Sequence, residues 1–352
     1  MYSISDLYKD VLFCNSGENL SNQMFYGCFF SDQLSFSRFV NKSSVNENAR
    51  LLLLPATITH YADLSKTPYT LHKSYPSARS FYTMNIFYSI STSELITPDI
   101  YSDDFLVFKS NKIQLKINTL YIVKTSEVEN NNYSSIHNSL QILEAGHIIG
   151  SYLRMQALGI LNILDIQTKN GYIELGVSIC SKLDKTSLNI IEHEFDNRSS
   201  GDYYGILANY SGKTKKFSSL STEMVDEISH LLNINNTLAI NTFLNDGFNY
   251  ISDQKNINYS FIQKEYPFWD VSSGQAITII SIKLDSINEN NVLPTILMAG
   301  IINQLLILKN SATGNINRPV KQVIPNKWES IICEVNNRKD MLPFYGLISL
   351  FD

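Results

Sequence analysis

Close cysteine pairs, extended basic clusters and long unbroken apolar runs are all missing from this 352-residue chain. Its four cysteines, Cys14, Cys28, Cys180 and Cys333, stand far apart, which excludes the short spacings of zinc and dithiol redox sites and leaves buried or free thiols. A net charge of -5 provides no footprint for nucleic acid, because the lysines are scattered apart from Lys213-Thr214-Lys215-Lys216. The stretch from Met1 to Asn15 mixes Asp6, Lys9 and Asp10 among its apolar residues, unlike a signal peptide, so a cytoplasmic location is expected. The most apolar window, Val292 to Leu308, is broken by Pro294, Gly300, Asn303 and Gln304. It falls short of the roughly 20 residues a membrane span needs, so it is expected as a core helix with no membrane partner. No Gly-rich phosphate loop, Gly-x-Ser-x-Gly elbow or His-Glu-x-x-His pair occurs. Glu144 and His147 share a helical face at i, i+3 without further ligands; they read as a helix-surface or domain-interface pair, and no metal is assigned.

What is present is a globular composition, 44% hydrophobic and 17% charged, over a length that suits two domains. A faint echo divides the chain. Leu143-Glu144-Ala145-Gly146-His147-Ile148-Ile149 recurs in altered form as Leu297-Met298-Ala299-Gly300-Ile301-Ile302-Asn303, each an Ala-Gly pair opening an apolar stretch. Periodicity predicts a long buried helix over Ser139 to Leu164, and another from Ser221-Thr222-Glu223 with Ser221 or Thr222 as its cap. Leu51 to Thr59 and Tyr82 to Ile90 read as buried strands, and Phe105 to Val123 as a β-rich zone. The polar cluster from Asp196 to Asp202 reads as a junction near Asn197. The expected domains are an N-terminal extension over 1–60, a first unit over 61–196 and a second over 197–352.

Several segments then carry a resemblance. Lys73-Ser74-Tyr75-Pro76-Ser77-Ala78-Arg79-Ser80-Phe81-Tyr82 resembles the "R-x-x-PSAG-x-x-YP" segment of the nitroreductase superfamily, in particular the SagB/McbC-type azoline dehydrogenases. Leu143 to His147 is similar to that subgroup's "LEAGH" helix, and Ile96 to Phe108, with Tyr101, to its "G-x-Y-x-Y" strand pair. Gly314 to Val320 resembles "GLG-x-RPVGG", and Leu342 to Leu347 the closing strand. The resemblance implies an α+β nitroreductase-like three-layer fold in two tandem half-domains, with a mostly antiparallel central sheet flanked by helices.

It also implies FMN as cofactor. Lys73, standing where the family has arginine, Arg198 and Ser200 in an "RRS-x-R"-like opening, and Arg318 in the "RPV" segment would contact the cofactor, with Ser77 at the ring edge; Lys216-Phe217-Ser218 competes with Arg198 for the phosphate. Tyr133, from the family's Lys-Tyr pair, would be the catalytic proton-transfer group. The implied activity is oxidation of thiazoline or oxazoline to the azole on a ribosomally made precursor peptide. Its partners would be that peptide and cyclodehydratase-type proteins, with a homodimer as the other way to complete the interface. Arg79 at the family's second glycine, Asn132 at its lysine and Ser139 at its arginine define the alternative, a flavin-free nitroreductase-like subunit that scaffolds or binds peptide.

Overall fold

The computed structural model describes residues 34–61, 71–77, 82–99, 101–111, 114–124, 137–169, 172–204, 217–246, 249–252, 255–265, 274–313, 315–320 and 325–350. Two antiparallel sheets and a layer of helices make up the α+β fold expected from the motifs. The first sheet holds β1 (Leu34–Val40), β4 (Met84–Ser89), β5 (Glu94–Pro98), β6 (Phe105–Ser110), β7 (Thr119–Lys124), β8 (Leu161–Lys169) and β9 (Tyr172–Ile179) in the order β1-β6-β5-β4-β7-β9-β8. The second holds β10 (Leu238–Asn245), β11 (Asn249–Ser252), β12 (Lys255–Asn258), β13 (Gly274–Lys283), β14 (Ile316–Val320) and β15 (Met341–Leu350) in the order β12-β11-β10-β13-β15-β14. A small ribbon pairs β2 (Ile58–Tyr61) with β3 (Leu71–Lys73).

With β1 set aside, the two orders are the same permutation: β6-β5-β4-β7-β9-β8 against β12-β11-β10-β13-β15-β14. Chain order agrees as well. Helix α2 (His137–Ala157) joins β7 to β8 as helix α6 (Val292–Ser311) joins β13 to β14. The sequence echo therefore falls on topologically equivalent helices.

Helix α1 (Glu47–Leu52) replaces the strand expected over Leu51 to Thr59. The Asn46 side chain caps it by accepting the Asn48 N–H at 2.8 Å, and a 3-10 turn carrying Pro55 follows before β2 begins at Ile58. A run of leucines, which are not branched at Cβ, favours helix over strand once a capping residue supplies a start. The expected junction near Asn197 lies inside helix α3 (Lys185–Tyr204). Helix α4 (Thr222–Leu231) begins as anticipated: Ser221 Oγ accepts the Met224 N–H at 3.3 Å, and Val225 and Ile228 are buried. Helix α2 ends earlier than the periodicity implies, because Gly159 takes a φ of 69° and turns the chain into β8. Helices α5 (Tyr259–Glu265) and α7 (Pro325–Val335) complete the second half.

One large apolar core encloses both long helices, with Leu143, Ile148 and Tyr152 of α2 and Leu297, Ile301 and Leu305 of α6 all buried in it. A smaller cluster around Phe243, Trp328 and Ile332 packs α7 on the second sheet. Helix α6 is long and apolar enough to cross a membrane, yet 83% of its most apolar window is buried inside the protein, as a core helix requires.

Candidate functional site

Residues 73–77 and 82–84 gather around one carboxylate. Glu144, on α2, is 4% exposed and accepts three hydrogen bonds: Ser77 Oγ at 2.9 Å, Thr83 Oγ1 at 3.2 Å and the Met84 N–H at 3.0 Å. Ser77 Oγ in turn accepts the Tyr82 N–H at 2.8 Å, and the Tyr82 hydroxyl accepts the Lys73 N–H at 2.8 Å. Tyr82 adopts a φ of 46°, a conformation that a bulky residue holds only when its surroundings fix it. Those contacts fix it at both its amide and its hydroxyl.

Lys73 is 3% exposed and turned inward. Its ammonium donates to Asn85 Oδ1 at 3.2 Å and lies 5.0 Å from the centre of the Tyr82 ring. Burial pushes this ammonium down to about 8, against the opposing charge of Glu144. Burial likewise pushes the Glu144 carboxyl up to about 7, while the bonds from Met84 and Ser77 and the Lys73 charge pull it back. A lysine and a glutamate on neighbouring elements thus titrate close to neutrality.

The second half reaches this segment through α6. Gln304 Nε2 donates to the Ser74 carbonyl at 2.8 Å and to Ser151 Oγ at 3.0 Å, which orients the amide and leaves Gln304 Oε1 facing His147 Nδ1 at 3.2 Å. An amide oxygen only accepts, so His147 Nδ1 carries the proton. In the neutral ring Nε2 then accepts from the Tyr345 hydroxyl at 2.9 Å. His147 is buried at the contact between halves, the interface role its spacing from Glu144 allowed. Glu144, by contrast, belongs to the 73–84 segment and was missed as part of the site. The polar interruption of the apolar window at Gln304 was the available signal for α6; Tyr345 carried none.

Helix α3, which carries Arg198 and Ser200, packs against β2, β3 and β14. Of these strands, β3 bears Lys73 and β14 bears Arg318. Arg318 is half-buried on β14, in register with Ile348 of β15. The strands that bear Lys73 and Arg318 thus each touch the helix that bears Arg198 and Ser200, and Ser77 follows β3. The side chains of Arg198 and Ser200 lie outside the described residues, as do Tyr133, Arg79 and Asn132. Tyr101 is not brought here; it sits in the β5–β6 turn, 83% exposed.

No protein-family model and no curated protein matches the chain. Solved structures do. A protein of Anabaena variabilis ATCC 29413 assigned as a nitroreductase is 11% identical, with a TM-score of 0.55, covering 90% of this chain and 93% of its own. The fold is nitroreductase-like. A nitroreductase family protein from Clostridium difficile 630 is 10% identical, covering 41% of this chain and 79% of its own with a TM-score of 0.24. The nitroreductase-like assignment rests on the first of these, which spans both sheets.

Proposed function

We propose that the chain is an FMN-dependent oxidoreductase built as two nitroreductase-like halves in tandem. The observation that supports this reading is the packing of α3, which carries Arg198 and Ser200, against both β3 and β14, which carry Lys73 and Arg318. The residues fit the group in part of their expected roles. The half-buried Ser77 hydroxyl donates to Glu144 and accepts from Tyr82, so one acceptor position remains for an N–H of a flavin edge. Arg318 offers the planar donor fork suited to a phosphate. Lys73 does not fit the phosphate contact: its ammonium is enclosed by Asn85, Tyr75 and Tyr82, and its work is to hold the turn.

Bound FMN supplies a two-electron acceptor. The finer reading is oxidation of a thiazoline or oxazoline to the azole on a precursor peptide, supported by the LEAGH-like helix and the Pro-Ser-Ala turn. In it, Tyr133, acting as the phenolate, takes up the proton that leaves the azoline ring. A second reading, a flavin-free subunit that binds or scaffolds peptide, is favoured by the inward Lys73 and by Arg79 at the family's glycine. Calorimetric titration with FMN separates the two. Binding near one equivalent, weakened about tenfold or more by Arg318→Ala, supports the oxidoreductase, since a charged hydrogen bond contributes about 1.5 to 3 kcal/mol. No heat of binding favours the flavin-free subunit.

A further inference from the structure

A second concavity, of about 780 Å³, opens between α1, the β5–β6 turn and the start of α3. That volume lies within the roughly 300–1,000 Å³ typical of ligand pockets. Its floor is apolar, made by Leu51, Leu54, Phe105 and Leu188. Its rim is acidic: Glu47, Asp99, Asp103, Asp104 and Glu192 face only Lys42 and Arg50 among the described residues. Lys42 approaches Asp103 at 3.8 Å, but both side chains are exposed, so this pair neutralises little.

The rim is built rather than loose. Asp99 accepts the Tyr101 N–H at 3.2 Å and the Ser102 hydroxyl at 2.8 Å, and Asp104 accepts the Asn41 amide at 3.3 Å. These bonds hold the turn open with the Tyr101 ring, 83% exposed, beside the cavity. The redox reading gives this cavity no task.

We propose that this cavity docks a short linear peptide segment carrying lysine or arginine beside aliphatic side chains. The excess of carboxylates attracts a cation and repels an acidic segment. The leucine and phenylalanine floor receives the aliphatic side chain, and the Tyr101 ring offers its face to the ammonium or guanidinium. The carboxylates spread from Glu47 on α1 to Glu192 on α3, which suits an extended segment with more than one cation. The inference stands independently of flavin binding.

The test is fluorescence anisotropy with the full chain and a fluorescein-labelled tetrapeptide amide, Leu-Lys-Leu-Arg, beside its charge-reversed counterpart Leu-Glu-Leu-Asp. Saturable binding of the cationic peptide alone is expected, weakening as salt rises. The triple change Asp103→Asn, Asp104→Asn and Glu192→Gln should reduce affinity about tenfold or more while the thermal melt stays in place. Equal binding of both peptides, no saturable binding, or full affinity in a folded triple variant would overturn the proposal. So would spermine that saturates the site and resists displacement by the peptide, which would make the ligand a free polyamine.

Discussion

Gly146 and Gly300 occupy the crossing of the two long helices, each pressed against the other's backbone. A Cβ built on Gly146 would lie 2.9 Å from the Gly300 Cα, and one built on Gly300 would lie 3.0 Å from the Gly146 Cα. Each would also strike a carbonyl, that of Leu297 and that of Leu143 respectively. The relation is reciprocal, as a pseudo-twofold crossing of equivalent helices demands. The repeated Ala-Gly pair therefore sets how closely the halves dock, and with it where α6 presents Gln304 to the Ser74 carbonyl.

Gly300→Ala should lower stability by about 1 to 3 kcal/mol, the range for overpacking a tight contact, because the obstructing atoms are backbone and cannot rotate away. Gly159→Ala is a useful contrast, since no atom lies within 4 Å of its Cβ and the strain there comes from a φ of 69°. Urea unfolding of both variants measures this. A Gly300→Ala protein as stable as the parent would contradict the close crossing.

Tyr345→Phe removes the donor to His147 Nε2 across the two halves. The loss should fall near 1 to 3 kcal/mol, the desolvation penalty for a buried polar group deprived of a partner. A double-mutant cycle with Gln304→Leu should show coupling, because both groups bond the same imidazole. Strictly additive effects would show that the two contacts act separately.

The Lys73 and Glu144 pair makes stability depend on pH with a minimum between about 7 and 8. Glu144 is raised from 4.5 to about 7, so between those values the native state holds more protons than the unfolded chain and stability falls as pH rises. Lys73 is lowered from 10.5 to about 8, so between about 8 and 10.5 the unfolded chain holds more protons and stability climbs again. Glu144→Gln should flatten the acidic limb and Lys73→Met the alkaline one in unfolding free energies measured from pH 5 to 10. Parallel profiles for parent and variants would show that neither group titrates differently on folding.

Arg154→Met should destabilise by about 3 to 5 kcal/mol. Arg154 grips Glu194 through two hydrogen bonds, at 2.8 and 2.5 Å, and Glu194 is 1% exposed, so the variant leaves a buried carboxylate without its cation. Chemical denaturation reads this directly. Restoration of stability by adding Glu194→Leu would attribute the loss to the stranded charge.

Much of this architecture was legible in the residues. The repeated Ala-Gly pair marked two equivalent buried helices, because close backbone approach requires glycine and leaves a local trace, although their crossing at those glycines was not read from it. Ser221 marked the start of α4 for the same reason, since a cap is a short-range interaction. The segment from Leu51 to Thr59 misled, because an apolar run fits a buried strand or a helix equally well and only the Asn46 cap decides. Asn197 misled because a run of polar residues with a glycine looks like a linker even where the backbone continues a helix. The inward turn of Lys73 could not be read, since it depends on Glu144, Tyr82 and Asn85 being assembled from distant or strained positions.

The most direct measurement is the absorbance spectrum of the purified chain after incubation with FMN and desalting. The account predicts retained flavin bands at close to one equivalent, and their loss in Arg318→Ala with the fold intact. A colourless protein that releases all added FMN would contradict it and leave the flavin-free subunit as the reading of this fold.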